Sequence, residues 1–405
     1  MRILALNWRD LAHPSAGGAE VYLEAVLKRW ATEHDVTLFT AAVDGSPDDQ
    51  VVDGYRVVRR GGRFGVYREA KRFWAEQGRG SYDVVIDCVN TVPFHANEWV
   101  DDGTPTVVLV HQTCEDIWNH NAPWPASWLG RWVLEPRWLK RLRSTPVLAV
   151  SDSTAQAVGR FGIRDVTVVP EGYEATAEAL SWAGAAKEER PTVVWCARLV
   201  DYKRPGDMVR AVEIAREQVP DLQAWMIGGG PLLDELRDGA PEGVHFLGRV
   251  DESTKHERMA RAHAHVATSV REGWGLVVSE AAALGTPTLS YDVPGLRDST
   301  RAADGVLCPA TPEALAAYLV DLLPQWTVAP PAPMPHGGAH SWDTVAEQVF
   351  AAVVKRAKIP GTSTRPLTRA LALDMVRAGA PVGTDTLSTA APVEASASSG
   401  AGRAA

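Results

Sequence analysis

Short apolar runs alternate with longer, helix-like ones along most of the chain. Residues 3–7, 35–40, 83–87, 106–110 and 146–150 read as strands, and 19–33 as the first helix. A softer segment, 171–190, rich in Ala, Glu and Gly, interrupts the pattern, which then restarts. Residues 192–197, 222–228, 244–247, 265–268 and 288–291 read as strands, and 206–218 and 276–284 as helices. Such alternation predicts parallel sheets covered by helices. The restart predicts two doubly wound, Rossmann-like α/β domains, 1–171 and 172–340, facing a central cleft. Ligands in open α/β sheets sit beyond the carboxyl ends of the strands, so the cleft is the expected site.

The run TVAPPAPMPHGG, 327–338, cannot be regular structure. Ser341 is placed to cap a helix over 341–358. The end of the chain, 361–405, is rich in Ala, Ser, Thr and Gly and is predicted to be mostly disordered, with a short helix over 368–377.

A chain of 405 residues exceeds what one core usually holds, in keeping with two domains. Its net charge of −9 supplies no global basic field, so no nucleic-acid partner is expected. Cys88, Cys114, Cys196 and Cys308 lie far apart without C-x-x-C spacing. That predicts free thiols in a reducing compartment rather than zinc or a disulfide framework. No run reaches the roughly 18 apolar residues of a membrane span. The N-terminal MRILALNW leads into a polar loop and reads as a first strand rather than a signal peptide. The expected location is cytoplasmic.

Four stretches carry candidate chemistry. SAGGAE puts Gly17 and Gly18 between a strand and a helix start, where backbone approaches a ligand closely and helix amides favour anions. Paired glycines there are also ordinary turn residues. CARLVDYKRPGD puts Arg198 and Lys203 in a loop after a strand. A planar fork and a point charge suit a diphosphate, and the spacing fits two solvated surface cations equally well. MIGGGPL adds a glycine turn centred on Gly229. In REGWGLVVSEAAALG, Glu272 lies in a loop and Gly275 opens a helix whose first amides, near Leu276 and Val277, are free. Glu280 follows about one turn inside that helix. The helix is otherwise nearly apolar, so Glu280 wants a hydrogen-bond donor, and a ribose diol supplies two. A carboxylate pair also suits a glycoside hydrolase. That reading leaves Arg198, Lys203 and the glycine loops unexplained. Asp48, Asp49, Asp101 and Asp102 read as solvated charge in polar loops, and no metal site is expected.

SAGGAE, CARLVDYKRP, IGGGPL, HFLGRV and REGWGLVVSEAAALGTP occur in the order found in retaining glycosyltransferases of the GT-B fold, family four. The chain resembles that family over about residues 1–358, and Glu272 and Glu280 match its signature of two glutamates separated by seven residues. The resemblance implies a nucleotide-diphosphate sugar, UDP- or GDP-linked, as co-substrate with no cofactor, and a hydroxyl acceptor (a lipid-linked glycan, a saccharide or a small metabolite). It implies that Glu280 holds the ribose, while Arg198 and Lys203 bind the diphosphate and stabilise the departing nucleotide. Amides near Gly275, Leu276 and Val277, with Gly17 or Gly18 across the cleft, reach phosphate oxygens. Glu272 contacts the sugar, backbone at Arg249 and Val250 meets the base, Gly229 belongs to the donor pocket, and His111 faces the transferred sugar. The helix 341–358 crosses back to the first domain. Fixed cations aimed at a leaving phosphate need no metal. Two segments depart from the family pattern. VVPEGYE has Glu171 where Asn is common, and HQTCED lacks an evident His–Asp pair. Two other readings use the same fold: a non-catalytic sugar-nucleotide-binding protein, and a sugar-phosphate synthase or phosphorylase-like enzyme.

Residues 117–143 hold Trp118, Trp124, Trp128, Trp132 and Trp138 with Arg131, Arg137, Lys140, Arg141 and Arg143. Three readings fit: a Trp-rich core helix, an aromatic wall for a soluble acceptor, or an interfacial surface for a membrane or lipid-linked acceptor. The last places the protein peripherally at the inner face of the membrane.

Overall fold

Two parallel sheets, each buried between helices, carry the chain. The computed structural model describes residues 1–357. The disorder expected for 361–405, the helix expected over 368–377 and residue Lys358 lie outside the described residues. The first sheet comprises β1 (Arg2–Leu6), β2 (Asp35–Thr40), β3 (Asp49–Val52), β4 (Tyr55–Arg59), β5 (Val84–Val89), β6 (Thr106–Val110), β7 (Val147–Ala149) and β8 (Val166–Val168). Their spatial order is β3-β4-β2-β1-β5-β6-β7-β8, parallel except for β3 with β4. The second comprises β9 (Thr192–Cys196), β10 (Gln223–Ile227), β11 (Val244–Gly248), β12 (Ala264–Ala267), β13 (Thr288–Tyr291) and β14 (Val306–Cys308). Its order is β11-β10-β9-β12-β13-β14, parallel throughout.

Covered faces explain the near-continuous apolar runs. In β5 every residue, VVIDCV, is buried. The expected strands form with ends shifted by a residue or two. The hairpin β3–β4 and the three-residue strands β8 and β14 were not anticipated from the pattern. The hairpin turns at Asp53 and Gly54, both at positive φ (45° and 89°), the backbone for which Asp-Gly is suited. Asp49 therefore lies in β3, not in a loop, and pairs with Arg56.

The helix Trp342–Ala357 packs on the helix Gly18–Trp30. Trp342, Val345, Ala346, Val349 and Phe350 enter the core beneath β1, and Trp30 Nε1 donates to the carbonyl of Ala346 at 2.9 Å. The C-terminal end of the described chain is thereby fixed to the first sheet.

Residues 117–143 do not form one core helix. They fold into short helical pieces, among them Trp118–Asn121, Ala126–Leu129 and Glu135–Lys140. Trp118 lies against Gly130, where an added Cβ would come within 2.3 Å of the indole, and its Nε1 donates to Glu135 at 2.9 Å. Trp124, Trp128 and Trp132 point outward, 81%, 52% and 61% exposed. This corrects the core-helix reading for those three. The segment is also less basic than its composition, since Arg131 pairs with Asp116 and Arg141 with Glu98.

Candidate active site

Both sheets reverse their strand order beside a central strand, at β1/β5 and at β9/β12. A crevice opens beyond the carboxyl ends of strands at such a point. The loops leaving those strands line a cavity of about 860 Å³: Trp8 and Arg9 after β1, Asn90 and Thr91 after β5, Arg198 after β9, and Ser269 and Glu272 after β12. His111 joins them from the end of β6.

Two helix N-termini meet in this cavity. One begins at Gly18 and the other, Leu276–Ala283, at Leu276. They are close enough that a Cβ on Gly18 would lie 3.6 Å from Leu276 Cδ1. Gly17, Gly18, Gly275, Leu276 and Val277 all line the space. First-turn amides have no intrahelical acceptor, so this wall presents N–H groups and partial positive charge. Gly275 sits at φ 103°, a backbone that L side chains rarely adopt. At Gly273 a Cβ would come within 2.6 Å of the His111 carbonyl oxygen, so glycine permits the two lobes to touch there. Arg271 reaches the first lobe as well, 3.3 Å from Glu115.

Lys203 forms an ion pair with Glu272, a contact that spacing did not reveal. Ser269 Oγ donates to the same Glu272 oxygen at 2.5 Å, and Glu272 N donates to Pro294 O at 3.0 Å. Thr268 Oγ1 donates to the carbonyl of Lys203 at 2.8 Å, which ties the two loops together. Arg198 is exposed and donates to the hydroxyl of Tyr202 at 2.7 Å. Lys203 is thus held by Glu272 in a part-buried loop, whereas Arg198 lies exposed against the Tyr202 hydroxyl.

Glu280 faces the cavity from its helix, but it already has a partner. Lys255, on the helix Glu252–Arg261, lies 3.0 Å from it and 2.6 Å from Glu252. Burial pulls the Lys255 ammonium down, but Glu280 and Glu252 more than offset this and hold it above its ordinary value. The partner that Glu280 wants on its nearly apolar helix is therefore already supplied within the protein, by Lys255.

His111 is 2% exposed and neither ring nitrogen has a hydrogen-bond partner among the described residues. Burial lowers it to about 3, so the ring is neutral, with Tyr22 edge-on at 5.3 Å. Gly229 and Val250 do not line the cavity. Gly229 packs toward the Arg249 side chain, and Val250 joins an apolar cluster with Cys196 and Val277. Several lining residues escaped sequence reading: Trp8, Arg9 and Asn90; Glu171, noted only as a departure from the family pattern, lines the cavity as well. Behind them Glu20 accepts from Gly17 N (2.8 Å) and Asn90 Nδ2 (3.2 Å) and pairs with Arg9 at 3.0 Å. Among the described residues no three His, Cys, Asp or Glu side chains converge as a metal site, and no helix is long and apolar enough to cross a membrane.

Paired Rossmann-like lobes around a cleft of this kind define a GT-B fold. The Anabaena protein HepE, solved with UDP and glucose, superposes with a TM-score of 0.62 at 17% identity, covering 88% of this chain and 100% of that one. Residues 16–176 match the family model Glycosyltransferase Family 4, and residues 176–329 match Glycosyl transferases group 1. The chain belongs to this glycosyltransferase family. It is 28% identical over 232 residues to a glycogen synthase of Mycobacterium tuberculosis, covering 54% of each chain. To that organism's GDP-mannose-dependent alpha-(1-6)-phosphatidylinositol monomannoside mannosyltransferase it is 32% identical over 151 residues, 33% of this chain and 39% of that one. The chain spans about half or less of the length of these curated relatives.

Proposed function

We propose that the protein is a retaining, metal-independent hexosyltransferase that moves a sugar from a UDP- or GDP-sugar to a hydroxyl acceptor. Residues 172–340 hold the donor and 1–171 meet the acceptor. One observation carries this reading: two helix N-termini and the fixed Lys203–Glu272 pair converge on a single cleft at both sheet switch points. Free amides at Gly18, Leu276 and Val277 suit a diphosphate. Lys203 and Arg198 offset the negative charge that grows on the leaving phosphate as the glycosyl bond lengthens. Glu272, oriented by Lys203 and Ser269, accepts from sugar hydroxyls, and Glu280, oriented by Lys255, accepts from the ribose. His111, neutral and unpartnered, hydrogen-bonds the transferred sugar and is no general acid. The family membership and a relative named for GDP-mannose support the donor class. Donor turnover measured over a panel of UDP- and GDP-sugars and acceptors tests the reading. Donor binding without transfer or hydrolysis would favour a non-catalytic binding protein instead.

The acceptor side has a second feature. Trp124, Trp128 and Trp132 are exposed, with Leu129 at 44% exposure, and the same segment carries exposed Arg137 and Lys140, which have no ion-pair partner among the described residues. Trp and cationic side chains suit a headgroup boundary, which favours a lipid-linked acceptor met at the membrane surface. Co-sedimentation with anionic vesicles tests this, and no binding at any salt concentration rejects it.

A further inference from the structure

Three carboxyl groups line the cavity, Glu171, Glu272 and Glu280. Glu272 is paired with Lys203 and Glu280 with Lys255. Glu171 is 3% exposed and has no hydrogen-bond or ion-pair partner among the described residues. It follows β8 and precedes Gly172, which is packed under Trp342 and Val345. Its Oε2 lies 3.8 Å from the Cβ position of Gly18, at the meeting point of the two helix N-termini.

The groups facing Glu171 leave it uncompensated. From the first lobe come Glu20, which pairs with Arg9, and the buried phenol of Tyr22. His111, from the end of β6, is neutral. From the second lobe comes Glu272, which pairs with Lys203. The helix Trp342–Ala357 contributes apolar side chains. Burial, with the charges of Glu272 and Glu20 adding to it, pushes the Glu171 carboxyl up to about 8. A carboxyl in this state carries an O–H, and no acceptor takes it among the described residues.

We propose that Glu171 is a donor-binding residue whose carboxyl group donates a hydrogen bond to an oxygen of the diphosphate–sugar linkage of the nucleotide sugar. The proposal rests on the donor site described above. An anionic diphosphate beside Gly18 repels a carboxylate and accepts from an acid, so donor binding and proton retention at Glu171 are linked. The sign is fixed: the donor binds the protonated form, so affinity is flat below the Glu171 pKa of about 8 and falls above it.

Calorimetric titration of UDP-glucose, GDP-mannose and ADP-glucose into the full chain tests this, from about pH 6.5 to about pH 9 in buffers of differing ionisation enthalpy. For the sugar that binds, wild-type affinity falls by up to roughly tenfold per pH unit above about pH 8, with proton uptake on that limb. Glu171→Gln keeps an N–H donor, binds within about threefold of wild type at neutral pH, and loses both the slope and the proton uptake. Glu171→Met, apolar and of similar length, binds roughly tenfold more weakly across the range. A wild-type profile parallel to that of Glu171→Gln, or Glu171→Met binding as tightly as wild type, overturns the role of Glu171. No binding of any of the three by wild type overturns the donor-site reading itself.

Discussion

Lys255 Nζ lies 3.0 Å from Glu280 Oε2, on neighbouring helices of the second lobe. The pair is largely shielded, with 14% and 19% of the two side chains exposed. Lys255 therefore sets where the Glu280 carboxylate points, and the expected ribose contact depends on a residue outside every recognised motif. Lys255→Met leaves Glu280 partly buried without its cation, at an expected stability cost of about 1–3 kcal/mol. The donor KM rises while kcat changes little, because the group is remote from the breaking bond. Steady-state kinetics and thermal unfolding check both. The double variant Lys255→Met/Glu280→Gln regains stability but not donor affinity.

Lys203 and Arg198 differ in preorganisation, and their variants should differ too. Lys203 is held by Glu272, whereas Arg198 is exposed and bonded to Tyr202. Lys203→Ala is expected to lower kcat by roughly 10²–10³-fold, the range for loss of one fixed stabiliser of developing charge. Arg198→Ala is expected to cost less. Single-turnover rates with saturating donor separate this effect from binding.

Gly273 is a steric gate between the lobes. A methyl group there meets the His111 carbonyl, which cannot retreat without moving β6. Gly273→Ala is expected to force the lobes apart, costing about 1–3 kcal/mol, lowering kcat and raising the donor KM. Small-angle scattering would show a larger radius of gyration.

Stability should depend on pH through Glu171. Its folded pKa of about 8 lies above its ordinary value of 4.5. The folded state therefore retains a proton that the unfolded chain releases. That contribution is fully present below about pH 4.5 and is lost as pH rises toward about pH 8. Glu171→Gln removes it, so the variant should unfold at a higher temperature than wild type at about pH 8, and the gap should close near pH 4. Calorimetric scans at the two pH values read the difference.

The outward tryptophans give a prediction independent of the cleft. Trp128→Ala/Trp132→Ala should abolish binding to anionic vesicles while leaving unfolding temperature and donor binding unchanged, since both rings are exposed. Equal sedimentation of variant and wild type would reject the surface.

The alternation of apolar runs made the two sheets legible, because a parallel strand buried on both faces leaves an unbroken run such as VVIDCV. The antiparallel edge hairpin was missed although Asp53-Gly54 marks its turn, because β3 is polar and half exposed. Strands β8 and β14 are three residues long, too short to show a period. At the site, residues in contiguous motifs were legible: Gly17, Gly18, Arg198, Lys203, Glu272, Gly275 and Glu280 line one cavity. Their partners were not. Lys255 reaches Glu280 from another helix, and Arg9 and Asn90 meet around Glu20 only because β1 and β5 are neighbours. Sequence distance hides such contacts. Glu171 was visible as a departure, but its lack of an ion-pair partner among the described residues was a fact of three dimensions. For the tryptophans of 117–143 the sequence left core helix, acceptor wall and membrane surface open, and the fold removes the core for the three it turns outward.

The central claim is that the cleft holds a nucleotide sugar through Glu280, with Lys203 on the diphosphate. Its most direct test is calorimetric titration of a panel of UDP-, GDP- and ADP-sugars into wild type, Glu280→Ala and Lys203→Ala. At least one sugar should bind wild type, and Glu280→Ala should weaken that binding by roughly tenfold or more. Equal affinity of all three proteins for the sugar that binds, or no binding by wild type, would contradict the account.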